Sequence, residues 1–156
     1  MLFRSDSANE AAAVIEECSQ LVETRSQTPE YKTQLALAYQ LMAQIESELS
    51  ETIAFDQFEL AITIQCQATN ELPPDMRHRE TSLSILDSFS NVAQARISRI
   101  VDNRDAAAPA TLERYLSIAE IADTQAADHA KPAMFFGQTL AYCAAAFDQC
   151  NLSEKA

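Results

Sequence analysis

The residues of this 156-residue chain best suited to acid–base, nucleophilic or metal chemistry are His78, His129 and the cysteines Cys18, Cys66, Cys143 and Cys150. Their spacing offers little. No H-x-x-x-H or similar pair would set two imidazoles on one helix face for a metal, and no C-x-x-C occurs. Asp128-His129 is a local acid–histidine pair at the expected end of a helix, where a histidine offsets the helix dipole. Cys143 and Cys150 lie two turns apart on one helix face. No cationic neighbour would lower their pKa, so they read as small core residues. Asp56 and Glu59 share a helix face, as a general acid–base pair would and as a solvated face equally would. Arg96, Arg99 and Arg104 gather where a helix should end, where they oppose its dipole. The single glycine, Gly137, rules out the glycine-rich phosphate loops and the nucleophile elbow. The expectation is no catalytic residue, no metal ligand and no cofactor. An enzyme would need His78 or His129 gathered with carboxylates from other helices.

Composition limits the scaffold that could position such groups. Ala, Leu, Gln, Glu and Ile dominate, and most of these favour helix. Near-absence of glycine removes the positive-φ positions of hairpin turns and argues against a β-rich fold. A chain of this length buries roughly 70% of its unfolded surface and needs no staples, so a single domain over 1–156 is expected. Net charge is −12, divided as −9 over residues 1–78 and −3 over residues 79–156. Such a field repels phosphate backbones and anionic lipid and suits a basic peptide or basic protein face. Nucleic acid and membrane are therefore not expected as partners. With no signal-like N-terminus and no apolar run of roughly 18 residues, a cytoplasmic protein with reduced thiols is expected.

Periodicity and punctuation predict six helices, over about 8–24, 29–48, 51–69, 76–102, 110–128 and 132–150. Ser7-Ala-Asn-Glu10 fits a capping box for the first, with Ala11, Val14, Ile15, Cys18, Leu21 and Val22 as its apolar face. Thr28-Pro29 marks the second start. Leu35, Ala38, Tyr39, Met42, Ile45 and Leu49 form one stripe there, and Leu37 and Leu41 a second, which predicts a helix packed on two sides. A continuous helix to Asn70 would be roughly 60 Å long, so a turn is placed at Glu48–Glu51 with Ser50 as the next cap. Phe55, Phe58, Ala61, Ile62 and Cys66 face inward on helix three. Pro73-Pro74 ends it and Asp75 caps helix four, whose stripe is Leu83, Leu86, Phe89, Val92, Ala93, Ile97 and Ile100. Residues 103–110 form a linker. Helix five buries Leu112, Tyr115, Leu116, Ala119, Ala122 and Ala126. Lys131-Pro132 opens helix six, which buries Phe136, Leu140, Cys143, Phe147 and Cys150, with residues 151–156 fraying.

A repeat underlies these helices. Large-small-x-x-apolar recurs as Leu35-Ala36-x-x-Tyr39, Phe89-Ser90-x-x-Ala93 and Phe136-Gly137-x-x-Leu140. Between these fall Ala11-x-x-x-Ile15-x-x-Cys18, Ala54-x-x-x-Phe58-x-x-Ala61 and Thr111-x-x-x-Tyr115-x-x-Ile118. Small residues let helices approach, and a bulky residue fills the space opposite. The pattern resembles the tetratricopeptide repeat family, most closely at Leu35, Ala36, Tyr39, Ala54, Phe58 and Ala61, with a longer and less regular period than that family's. The resemblance implies an all-α fold of six antiparallel helices stacked as helix-turn-helix repeats, with a concave groove for a partner peptide or helix. Gln34, Tyr39, Asn91 and Gln94 sit on or beside the helices that line the groove in that family. The function so implied is that of a non-catalytic adaptor or chaperone-like module. The alternative is a closed helical bundle that regulates an enzyme or self-associates, as a homodimer burying an apolar face of helix two or six.

Overall fold

The computed structural model describes residues 2–25, 28–47, 51–74, 76–103, 106–126 and 134–154, with side chains for 7–25, 28–47, 54–74, 77–103, 106–126 and 134–150. The described chain is all helical: α1 (Leu2–Thr24), α2 (Pro29–Glu46), α3 (Glu51–Glu71), α4 (Met76–Asp102), α5 (Ala108–Gln125) and α6 (Phe135–Glu154). The break required between Thr28 and Asn70 falls where length demanded it. α2 closes at Ser47, whose amide donates to Ala43 O at 2.9 Å and whose hydroxyl donates to Gln44 O at 2.8 Å.

Local punctuation differs in several places. Ser7 is not a cap, because α1 already begins at Leu2. Thr28 occupies the N-cap of α2 with Pro29 in the first turn, but its side chain makes no capping bond; its carbonyl accepts from Tyr31 N instead. α5 starts at Ala108, within the expected linker, and stops at Gln125, where Ala126 turns extended with ψ 142°. α6 runs on to Glu154, through part of the tail expected to fray. The expected caps Ser50 and Asp75, the Lys131-Pro132 start, and Leu49, Arg104, Asp128 and His129 lie outside the described residues.

Among the described residues, each helix packs only on helices one or two places away in the chain. α2 touches α1, α3 and α4; α3 touches α2, α4 and α5; α4 touches α2, α3, α5 and α6; α5 touches α3, α4 and α6. α1 meets α2 alone, and α6 meets α4 and α5. The most extensive contact joins α2 and α3, both of which carry buried alanines seven residues apart: Ala36 and Ala43 on one, Ala54, Ala61 and Ala68 on the other, all fully buried. A missing side chain beyond Cβ lets helix axes come close.

Large side chains fill the opposite positions. Phe55 and Phe58 of α3 lie 5.7 and 5.4 Å, ring to ring, from Phe89 of α4, and Phe89 lies 5.2 Å from Tyr115 of α5. Tyr115 lies 6.3 Å from Tyr142 of α6. Three of these pairs are edge-on and Phe58–Phe89 is tilted at 51°; such pairs add to the area each ring buries. Phe58, Phe89 and Tyr115 have no exposed surface.

The expected stripes hold on α3 and mostly on α4 and α5. Leu83 is half exposed, and Ile85 and Ile118 join the core instead. Elsewhere the buried faces are turned. α2 is packed on more than one side, but Leu41 is 51% exposed and only Leu37 of its second stripe touches the core. Ala36, Gln40 and Ala43 take that place, because short or hydrogen-bonded side chains are what close helix approach admits. Val14 on α1 is 46% exposed, since α1 has one neighbour to cover it. On α6 the inward line is Thr139, Cys143 and Ala146, with Phe135, Tyr142 and Phe147 beside it, and Leu140 is 44% exposed. A helix so uniformly apolar does not mark its inner face by hydropathy alone.

Two measurements test this core. Phe89→Ala removes the ring shared by three helices and should cost about 3–5 kcal/mol, against less than half that for Phe89→Leu, read from urea unfolding; equal costs would show that ring contacts are unimportant. Burial pushes the Cys66 and Cys143 thiols from the ordinary 9.0 to about 11. Below pH 9 both folded and unfolded chains hold these protons. Between about 9 and about 11 only the unfolded chain ionises them, so stability falls as pH rises through this window. A Cys66→Ala/Cys143→Ala variant should lose less stability than wild type between those pH values, and matching slopes would contradict the assignment.

Candidate functional site

On α2, Glu30, Gln34, Leu37, Leu41 and Gln44 recur at intervals of four and three and so occupy one line of the helix. All but Leu37 are exposed, and Leu37 is half-buried. On α4 the corresponding exposed line is Ser84, Asp87, Asn91, Ala95 and Ser98. Side-chain bonds join the two helices beside these lines. Gln40 Nε2 donates to Ser88 Oγ at 2.6 Å, and Gln44 Nε2 donates to the same hydroxyl at 3.2 Å. Farther along α4, Tyr142 OH of α6 donates to Gln94 O at 3.1 Å and lies 3.4 Å from Ser98 Oγ. α2, α4 and α6 are thus tied side by side through glutamine, serine and tyrosine.

The four residues expected to line a groove fall differently on this surface. Gln34 and Asn91 are exposed on the outer lines of α2 and α4. Tyr39 is half-buried and packs against the core. Gln94 is half-buried, and its Nε2 donates to Tyr115 OH at 3.4 Å, a hydroxyl that also shares a 3.0 Å bond with Ser90. Leu41, the exposed leucine of this surface, falls outside the core to which its apolarity assigns it. Only its place in line with Glu30, Gln34 and Gln44 could have marked it as outward.

Charged contacts join α3 to its neighbours α2 and α5, Lys32 of α2 pairing with Glu71 at 2.5 Å. Asp56 and Glu59, spaced as an acid–base pair, converge on Arg114 of α5: its guanidinium donates to Asp56 Oδ1 at 2.9 Å and to Glu59 Oε2. The pair therefore fastens α3 to α5. Beside it opens a recess of about 300 Å³ lined by Phe55, Asp56, Arg96, Ala107, Ala110, Thr111 and Arg114. Arg96 belongs to this recess, whereas Arg99 turns back on its own helix, its Nε donating to Ala95 O at 3.4 Å. His78 is half-buried near the start of α4, and its carbonyl accepts from Ser82 Oγ at 3.0 Å. Among the described residues, no three His, Cys, Asp or Glu side chains are grouped to hold a metal ion, and no helix is long and apolar enough to cross a membrane.

No protein-family model, curated protein or solved structure matches the chain.

Arg114 is 39% exposed, Asp56 58% and Glu59 33%. Water screens such pairs, so double-mutant cycles of Arg114→Met with Asp56→Asn or Glu59→Gln should each give a coupling of about 0.2–1 kcal/mol. The Glu59 cycle should give the larger value, and a reversed order would show that exposure does not govern these pairs.

Proposed function

We propose that this chain is a protein–protein interaction module of adaptor or chaperone-like type, built of stacked helix pairs in the manner of tetratricopeptide repeats. Its partner element is a peptide or helix lying across α2, α4 and α6. One observation carries the reading. On the outer line of α2, Gln34, Leu41 and Gln44 are exposed on either side of half-buried Leu37, and Gln44 reaches Ser88 of α4 beside that helix's exposed serine- and asparagine-bearing line. Packing confined to helices one or two places apart supports the stacked arrangement, since a closed bundle brings its first and last helices together. An apolar residue bordered by amides suits an amphipathic segment, whose side chains enter between hydrogen-bonding groups. The net charge of −12 favours a basic segment. On this reading the protein is cytoplasmic and performs no catalysis, and it binds neither nucleic acid nor membrane.

A second reading rests on α6. Gly137, Leu140, Ala141, Ala144 and Ala145 are all exposed there, and α6 has neighbours only in α4 and α5. This face favours a self-associating regulatory bundle, a homodimer formed through α6.

Selection of peptides from a random displayed library on the folded chain separates the two. The expected outcome is enrichment of basic amphipathic peptides whose amide-shift map centres on Gln34, Leu41 and Asn91. Leu41→Glu should weaken binding at least tenfold with an unchanged melting temperature. Shifts confined to α6, together with a sedimenting dimer that Leu140→Glu dissolves, would replace the first reading with the second. Enrichment of nothing by a monomer would defeat both.

A further inference from the structure

The recess beside the Asp56–Arg114 contact holds about 300 Å³, the lower end of the range for small-molecule sites. Phe55 and Asp56 reach it from α3, Arg96 from α4, and Ala110, Thr111 and Arg114 from the start of α5. Its polar groups are open to solvent, the Arg114 side chain being 39% exposed and that of Asp56 58%. The bonds that Arg114 gives to Asp56 and Glu59 both leave from Nη2. Nη1, which carries N–H donors of its own, meets no acceptor among the described residues.

On the same wall, α5 begins without a cap. Ala107 has no capping side chain, and the first turn holds no acidic residue. The Thr111 amide and hydroxyl are both spent on Ala107 O, each at 3.0 Å. Helix geometry leaves the amides of Ala108 and Ala110 without an intrahelical partner, and Pro109 has no N–H. Charge then decides which anion fits. Among the described residues, Asp56 and Glu59 offset Arg114 and Arg96, and the helix start adds roughly half a positive charge. So slight an excess, on a chain of net charge −12, favours a monoanion over a phosphate monoester, which carries about −1.5 to −2. Phe55 and Ala110 offer apolar wall to the rest of the molecule.

We propose that this recess binds a small organic carboxylate, whose oxygens accept from Arg114 Nη1 and from the first-turn amides of α5, with Arg96 supplying a second positive charge. The site lies apart from the outer lines of α2 and α4 and does not depend on a peptide docking there.

Amide shifts of the isotope-labelled full chain test the site, with sodium benzoate as ligand, benzamide as its uncharged counterpart and sodium chloride at matched ionic strength. Benzoate should shift Ala108, Ala110 and Thr111 saturably, with half-saturation at about a few millimolar. Benzamide should bind about tenfold more weakly, and Arg114→Met should weaken benzoate by about the same factor. Ala110→Glu sets a carboxylate in the first turn, where the helix dipole favours one. It should keep or raise the melting temperature and abolish saturation, and it decides the matter should the Arg114 variant not fold. A peptide with a free C-terminal carboxylate that saturates these amides more tightly than benzoate, while its amidated form does not, would place the carboxylate on a partner chain; weaker binding than benzoate would place it on a free acid. Benzamide binding as well as benzoate, the same shifts from chloride alone, unchanged benzoate binding by Ala110→Glu, or no saturation at about ten times the expected concentration would each overturn the proposal.

Discussion

The constraint on which most of the packing depends is the position of Phe89. Its ring, with no exposed surface, touches two rings of α3 and one of α5, and Tyr115 extends the series to α6. Four successive helices are therefore registered through adjoining aromatic contacts. An aromatic ring fixes more than distance: the edge-on arrangement of Phe89 with Phe55 and Tyr115 sets an angle, and a helix that rotates loses it. The hydroxyl of Tyr115 adds a second condition, because it lies buried and must be satisfied. Ser90, one residue past Phe89, and Gln94 satisfy it. The same two turns of α4 thus supply the ring and the hydrogen bonds that orient α5.

Where rings end, alanine takes over. α2 and α3 meet across seven-spaced alanines, and Gln40 reaches past them to Ser88 of α4. A close helix pair has no room for leucine on its contact line. Leu41 is accordingly outside, and a sequence stripe that counts every leucine as core assigns it the wrong face. The exposed leucine is a consequence of tight packing elsewhere on the same helix.

This explains which features could be read from the residues alone. Helix number and the existence of a break near Glu48–Glu51 were legible, because they follow from length, proline and the helix-forming composition, although α2 ends two residues sooner, at Glu46. The inner face of α3 was legible too, since Phe55, Phe58 and Ile62 contrast with Asp56 and Glu59. The face of α6 was not: nearly every residue from Phe135 to Phe147 is apolar or small, so tertiary contact with Tyr115 and Gln94 decides the rotation. Arg114 was also hidden. Asp56 and Glu59 announce a shared face, but their partner lies 55 to 58 residues later on another helix. Of the groove candidates, Gln34 and Asn91 are exposed, whereas Gln94 looks the same in sequence and is held half inside by a tyrosine hydroxyl.

Charge and contact are distributed over different parts of the molecule. Glu10, Glu16, Glu17 and Glu23 are exposed on α1, and Glu113, Glu120 and Asp123 on α5. The outer lines of α2 and α4 carry fewer charges per turn and more amides and hydroxyls. Long-range fields raise the rate at which an oppositely charged partner arrives, while desolvated contacts at the docking face set how long it stays. On the interaction reading, acidity steers a basic segment and Leu41 with its neighbouring amides retains it. Added salt would then slow association far more than it would hasten release, a separation that a purely electrostatic binder would not display.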